Sequence, residues 1–168
     1  MISKDHARKL RDHYRSALFD DIVPWWEKHS VDLKNGGYLT RLVRDGYAYS
    51  EDKDICRITV SKVYKDIRPE QQFENDITLS IESVLQRHWK LQHNYLLENV
   101  AMDGAPMFDL PEGRMFHPGH AIESAWMIME VALENNNKKL MDTAIDISIA
   151  SMEQGWNKEN GEWFGYLS

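Results

Sequence analysis

The stretch Arg114-Met115-Phe116-His117-Pro118-Gly119-His120-Ala121-Ile122-Glu123-Ser124-Ala125-Trp126 decides how the rest of the chain is read. Pro118 suits the first position of a helix, where its missing N–H would be unpaired anyway and its φ is already helical. From there Ile122, Ala125, Met129 and Ala132 recur at helical spacing, with Trp126 beside them. His120 falls in the first turn. The unpaired N–H groups and the positive dipole end there disfavour an imidazolium. A neutral ring can take a proton, which is the state a general base needs. Glu123 lies three residues on, on the same helical face, where it could orient the ring or fix its tautomer. Gly119 lets a ligand approach the backbone closely. The same pattern also suits a histidine that only caps the helix or packs in a core.

Outward from this helix the chain alternates helices with turns. Asn135-Asn136-Asn137 ends it, and another helix runs from about Lys139 to Met152 on Leu140, Ala144 and Ile147. Upstream, Leu110 to His117 is a loop, and Asp103-Gly104 is a hairpin turn. It follows a strand over Tyr95 to Met102, and Pro106 limits the returning strand to an edge. Asp76 to Trp89 is helical, with Ile77, Ile81, Val84 and Leu85 on one face. Cys56 to Asp66 is a poorer helix, broken by Arg68-Pro69. Near the start, Ser3 caps a helix to about Lys28 on Ala7, Leu10, Tyr14, Leu18 and Ile22, and Pro24 kinks or restarts it. Tyr38 to Val43, Asp45-Gly46 and Tyr47-Ala48-Tyr49 read as a hairpin.

An internal repeat runs through this order. Asp32-Leu33-Lys34-Asn35-Gly36-Gly37-Tyr38-Leu39 resembles Asn157-Lys158-Glu159-Asn160-Gly161-Glu162-Trp163-Phe164, and each follows a helix and a Trp. Helix, Gly-turn, short hairpin, helix is the unit. Such units stack, because none can bury its apolar face alone.

Composition narrows the function. The chain has 168 residues, 42 % hydrophobic and 28 % charged, a globular balance with length for one domain and a real core. Twenty Lys and Arg against twenty-seven Asp and Glu give a net charge of −7. That argues against a nucleic-acid binder, which would show a basic face, and against docking on anionic lipid. No apolar run is long enough to span a membrane, and Met1 to His6 shows no signal peptide. Cys56 is the lone cysteine, so no disulfide framework is expected and a reducing cytoplasm is the default. Six Trp and seven Tyr are many for this length; such rings line carbohydrate sites or fill cores.

Other chemistries find little support. His117, His120 and Glu123 stand at i, i+3 and i+6, which does not converge on one ion, so no metal is expected. His6, His13, His29, His88 and His93 lie in polar surroundings and read as surface or interface residues. Gly36-Gly37 lacks the Lys-Ser/Thr of a phosphate loop, and no nucleophile elbow is present. Arg8 to Arg15 is locally basic, a small anion patch or a solvated helix face.

These residues carry a resemblance. Arg114 to Trp126 is similar to the Arg-Leu-x-Asn-Pro-Gly-His-x-x-Glu-Ala-Gly-Trp of the N-acylglucosamine 2-epimerase family (renin-binding-protein type). Trp26 to Asp32 with Gly36-Gly37-Tyr38 and Arg44-Asp45-Gly46 resembles its N-terminal helix and hairpin. Leu97-Glu98-Asn99-Val100 with Asp103-Gly104 resembles the segment before the histidine motif. Gly161-Glu162-Trp163-Phe164-Gly165-Tyr166-Leu167 resembles a stretch of the N-acyl branch. The resemblance implies an all-α toroid of helical hairpins with short β-hairpins, here a partial (α/α)6 barrel. It implies interconversion of N-acetylglucosamine and N-acetylmannosamine by removal and return of the C2 proton, with no cofactor. His120 matches one of two catalytic histidines and Glu123 the carboxylate that supports it. Arg57, Arg114 and Trp126 are the expected substrate contacts, Arg57 in a shifted register within Asp54-Ile55-Cys56-Arg57-Ile58-Thr59-Val60. His117 stands where the family has Asn.

The match departs from the family in length. It jumps over several helical hairpins between about Tyr64 and Ile81, and it stops before the second histidine. A shortened member of the family is therefore expected, with the second base drawn from a neighbouring subunit of a homodimer. The alternatives are a non-catalytic helical module for binding or oligomerisation, and an enzyme of the cellobiose 2-epimerase or mannose isomerase type. The implied setting is amino-sugar and sialic acid metabolism in the cytoplasm.

Overall fold

The computed structural model describes residues 3–34, 38–39, 41–48, 58–101 and 103–163. Helices dominate, and the strands are two-residue arms of short hairpins. Ser3 caps α1 (Lys4–Ser16) by accepting from the His6 N–H at 3.2 Å. A π-helical stretch, Ala17–Ile22, carries the chain into α2 (Val23–Ser30), which has Pro24 in its first turn. A proline ring clashes with the carbonyl four residues back, and the wider π turn accommodates it without ending the helix. The expected apolar face of α1 stays in solvent: the helix has no buried residue, and Tyr14 is 66 % exposed. Its basic run is a solvated face, with Arg8 on Asp5 and Arg11 on Asp12. The buried anchors come later, at Phe19 and Val23, which pack on Phe73.

α3 (Ile58–Ile67) and α4 (Gln71–Ser83) form a helical hairpin around Pro69. α4 begins five residues earlier than its periodicity suggests and continues through a π turn, Val84–His88. The Lys62 ammonium joins α3 to the later helix that carries Glu130 and Glu134, lying 2.7 Å from the first and 2.8 Å from the second. Burial works against its charge, but the two carboxylates outweigh that and hold its pKa above the ordinary lysine value. The hydrogen bond from Lys62 holds Glu134 below the usual carboxylate range, against partial desolvation.

α5 (Pro118–Glu134) and α6 (Lys138–Gly155) make the centre of the molecule. Small residues let them approach: Ala121, Ala125 and Ala132 on α5, Ala144 and Ala150 on α6, with Ile128 and Ile147 fully buried between. The three asparagines do more than end α5. The Asn136 N–H bonds the Leu133 carbonyl at 3.2 Å and the Asn137 N–H bonds Ala132 at 2.8 Å, with Asn136 left-handed at φ 52°. That is a Schellman motif. Asn137 then caps α6 by accepting from the Leu140 N–H at 3.1 Å.

Three hairpins follow three helices with one spacing. Val31 bridges Tyr38 after α2. β1 (Trp89–Lys90) pairs antiparallel with β2 (Tyr95–Leu96), Trp89 facing Leu96, after α4 and its π turn. β3 (Trp156–Asn157) pairs with β4 (Glu162–Trp163), Trp156 facing Trp163, after α6. Each pair is seven residues apart, so the repeat expected at two places occurs at three. In the two legible copies an Asx turn opens the loop: Asp32 accepts from the Lys34 N–H and Asn157 from the Glu159 N–H. Among the described residues the hairpin expected at Asp45-Gly46 shows a bridge of Leu42 with Ala48, with Gly46 at φ 88°; Thr40 and Tyr49 of its expected strands lie outside them. Of the expected strand over Tyr95 to Met102, Tyr95 and Leu96 pair as a strand and Val100 forms a bridge, while Met102 lies outside the described residues. Gly104 still turns the chain, at φ 85°, and the Ala101 N–H donates to the Ala105 carbonyl. No described helix is long and apolar enough to cross a membrane.

Gly155 ends α6 against the start of α5. A Cβ there would lie 2.5 Å from the Pro118 Cβ and 2.7 Å from its Cγ. A proline ring cannot swing away, so Gly155→Ala should cost about 1–3 kcal/mol, seen as a lower Tm. A second prediction concerns Glu134, whose pKa is lowered in the fold. The stability it contributes is present above the unfolded value of 4.5 and is lost as pH falls through the lower folded value. Lys62→Met should therefore cost about 1 kcal/mol or less at neutral pH, since the carboxylates are partly exposed. Urea titrations should show that difference shrinking as pH drops through the carboxylate range.

Candidate active site

The site is built where α5 begins. His117 is its N-cap: the ring Nδ1 accepts from the His120 N–H at 3.3 Å, and the His117 carbonyl accepts from the Ala121 N–H at 3.0 Å. Pro118 follows in the first turn, buried against Gly155. These contacts fix where His120 leaves the backbone.

The partner of His120 is Glu98. The His120 Nδ1 lies 2.9 Å from Glu98 Oε1, in a pair whose side chains are 45 % and 15 % exposed. A carboxylate only accepts, so Nδ1 carries the hydrogen, and in the neutral ring Nε2 keeps its lone pair. Glu98 is itself held by its backbone, its N–H donating to the Met115 carbonyl at 3.2 Å. On either side Leu97 and Val100 are buried and anchor the segment. Asn99, also buried, donates to the Glu112 carbonyl at 3.2 Å and accepts from Arg41 at 3.3 Å. The segment 97–100 is therefore clamped to the loop that leads into α5, and that clamp brings Glu98 to the imidazole.

The ring-supporting contact expected of Glu123 falls to Glu98. Glu123 is exposed one turn further on, and no hydrogen bond among the described residues joins it to His120. Its spacing is right for a neighbour along the helix. His120, however, turns toward the preceding strand segment, where a buried backbone holds a carboxylate still. Arg114 is exposed and donates to the Phe108 carbonyl at 2.9 Å, which closes the loop before the helix. Trp126 is 53 % exposed and opens on a cleft of about 320 Å³ with Lys62, Asp66, Glu130 and Glu134; His120 does not line that cleft. The expected contact at Arg57 lies outside the described residues. Among those described, no group of three His, Cys, Asp or Glu side chains is placed to hold a metal ion.

Two further histidines depart from expectation. His88 is fully buried, not a surface residue: its Nδ1–H donates to the Leu97 carbonyl at 2.9 Å, while the Leu97 N–H donates to the His88 carbonyl at 3.1 Å. This two-way clamp ties the end of the α4 segment to the strand carrying Glu98. His117 stacks on His120, with ring centroids 3.9 Å apart and planes 11° apart.

The arrangement can remove a proton. One nitrogen of a half-exposed imidazole is oriented by a carboxylate, and the other is the nitrogen that can take a proton. Carbon acids of the kind next to a carbonyl suit such a base when the developing oxyanion finds a donor.

The chain is similar to known proteins both in sequence and in fold. The family model described as N-acylglucosamine 2-epimerase matches residues 58–167. The N-acylglucosamine 2-epimerase of Rattus norvegicus is 35 % identical over 85 residues, which is 46 % of this chain and 20 % of that protein. The Mus musculus protein of the same name is 33 % identical over 87 residues, covering 50 % of this chain and 20 % of its own length. In three dimensions the chain is similar to the cellobiose 2-epimerase of Bacillus thermoamylovorans, with a TM-score of 0.78 at 17 % identity. That match covers 96 % of this chain and 41 % of the other. A D-mannose isomerase matches with a TM-score of 0.77 at 16 % identity, over 91 % of this chain and 42 % of the other. The chain thus spans about a fifth of the length of these curated relatives. Its fold is that of part of an (α/α)6 toroid of helical hairpins with short β-hairpins. The chain belongs to the N-acylglucosamine 2-epimerase family.

Proposed function

We propose that the site at the start of α5 is the proton-abstracting side of a sugar 2-epimerase, acting on N-acetylglucosamine and N-acetylmannosamine. The observation that carries this is the Glu98–His120 pair, which leaves Nε2 of a half-exposed imidazole as the base. In the open-chain sugar, Nε2 takes the proton from C2. The C–H electron pair moves into the C1–C2 bond, and the carbonyl electrons move to the C1 oxygen as an enolate. Return of a proton to the other face of C2 gives the epimer. That return needs an acid opposite His120, which a second copy of the chain would supply in a homodimer. Glu98 keeps Nδ1 protonated throughout and faces the imidazolium that forms. No organic cofactor enters these steps. On this reading Arg57 and Arg114 bind substrate, and Glu123 is a second carboxylate beside the base. Trp126 offers a ring face for a sugar in its own cleft. The chain then acts in amino-sugar and sialic acid metabolism of the cytoplasm.

Proton NMR of N-acetylglucosamine in D2O tests the reading directly. Loss of the C2 proton signal with growth of N-acetylmannosamine is the expected result, with mannose and cellobiose turning over more slowly. His120→Ala should reduce exchange by about 10²–10⁴-fold. Glu98→Gln should reduce it by about 10–100-fold, because the ring loses its charged partner but keeps its place. A folded chain that exchanges nothing overturns the reading and leaves a helical binding module, and exchange that survives His120→Ala overturns the assignment of the base.

A further inference from the structure

We propose that His117 is a positioning residue for His120, and that it acts through its ring face as well as through its helix cap. The side-chain torsion that turns an imidazole is broad and roughly two-fold, so a single hydrogen bond to Glu98 leaves the ring plane free to rock and to flip. The His117 ring lies 3.9 Å away and within 11° of parallel. Any rotation of the His120 ring toward the perpendicular drives it into that face. His117 is held in turn, because its Nδ1 accepts from the His120 N–H at 3.3 Å. An imidazolium cannot accept there, so this cap calls for a bare Nδ1, with the ring hydrogen on Nε2. Gly119 leaves room for the stack: a Cβ there would lie 3.3 Å from the His117 Cε1. The two rings are thus fixed as opposite tautomers, His120 by Glu98 and His117 by the helix start. When His120 takes a proton, the cation that forms lies over a neutral aromatic face, which favours it. The consequence for turnover rests on the base assigned above; the positioning does not.

Cap and stack are separable by substitution. Asparagine is a good N-cap without a ring, and phenylalanine is a ring without a cap. Ring-nitrogen NMR of 15N-histidine-labelled protein reads the His120 tautomer directly, and thermal unfolding reads the cap. The native chain should show His120 with one protonated and one bare nitrogen. His117→Phe should keep that pattern while lowering Tm by about 2–4 °C, the scale of a lost cap. His117→Asn should keep Tm near native but move the two His120 nitrogens toward averaged positions, with a lower kcat and little change in KM. Native nitrogen positions in His117→Asn would overturn the proposal and leave His117 as a cap alone. Equal averaging in both variants would overturn it too, since the stack would not be the cause. If the native chain exchanges no C2 proton while the nitrogens behave as stated, the positioning stands and the epimerase reading falls.

Discussion

The close contact of Pro118 with Gly155 sets the register of the two central helices, and the site and its neighbours depend on it. A side chain at Gly155 would overlap the proline ring. Without one, the end of α6 meets the start of α5, and alanines at 121, 125, 132, 144 and 150 let the pair close along its length. The first turn of α5 is then a fixed point. A base placed there holds its direction in space, because the backbone beneath it is packed on both sides.

The hairpins supply the second constraint. Each is a ladder of one or two pairs and would be marginal alone. Each instead closes the end of a helix and directs the chain toward the next segment. The hairpin at Trp89 and Leu96 matters most for chemistry. It delivers Leu97 to the buried His88, and the chain runs on to Glu98 facing His120. Aromatic rings serve both the hairpins and the core. Trp156 and Trp163 meet edge to face at 5.4 Å across theirs, both partly exposed, while the largest fully buried side chains are Phe73 and Phe116.

Much of this was legible. The helix at Pro118, its end at the asparagines, the Ser3 cap and the breaks at Arg68-Pro69 are local, and local chemistry decides them. The repeat was legible at Asp32 and Asn157, because an Asx side chain marks each turn. It was fainter at the middle copy, where Lys90 holds the equivalent place and only Asn94, left-handed at φ 54°, marks the turn. His88 misled because its neighbours in sequence are polar, yet its ring is buried on a carbonyl nine residues away. Glu123 misled in the opposite way. Helical spacing makes it a neighbour of His120 on paper, while the ring turns to a carboxylate twenty-two residues upstream.

The sequence by itself determined the helix that starts at Pro118, the histidine in its first turn, and the family whose motif surrounds it. Those features rest on φ preferences, caps and spacing, which act over a few residues. Only the tertiary structure decided which carboxylate holds His120, that His117 stacks on it, and that Trp126 opens on a different cleft. Those outcomes depend on how separate segments pack, and packing is governed by buried contacts between residues that no local pattern connects.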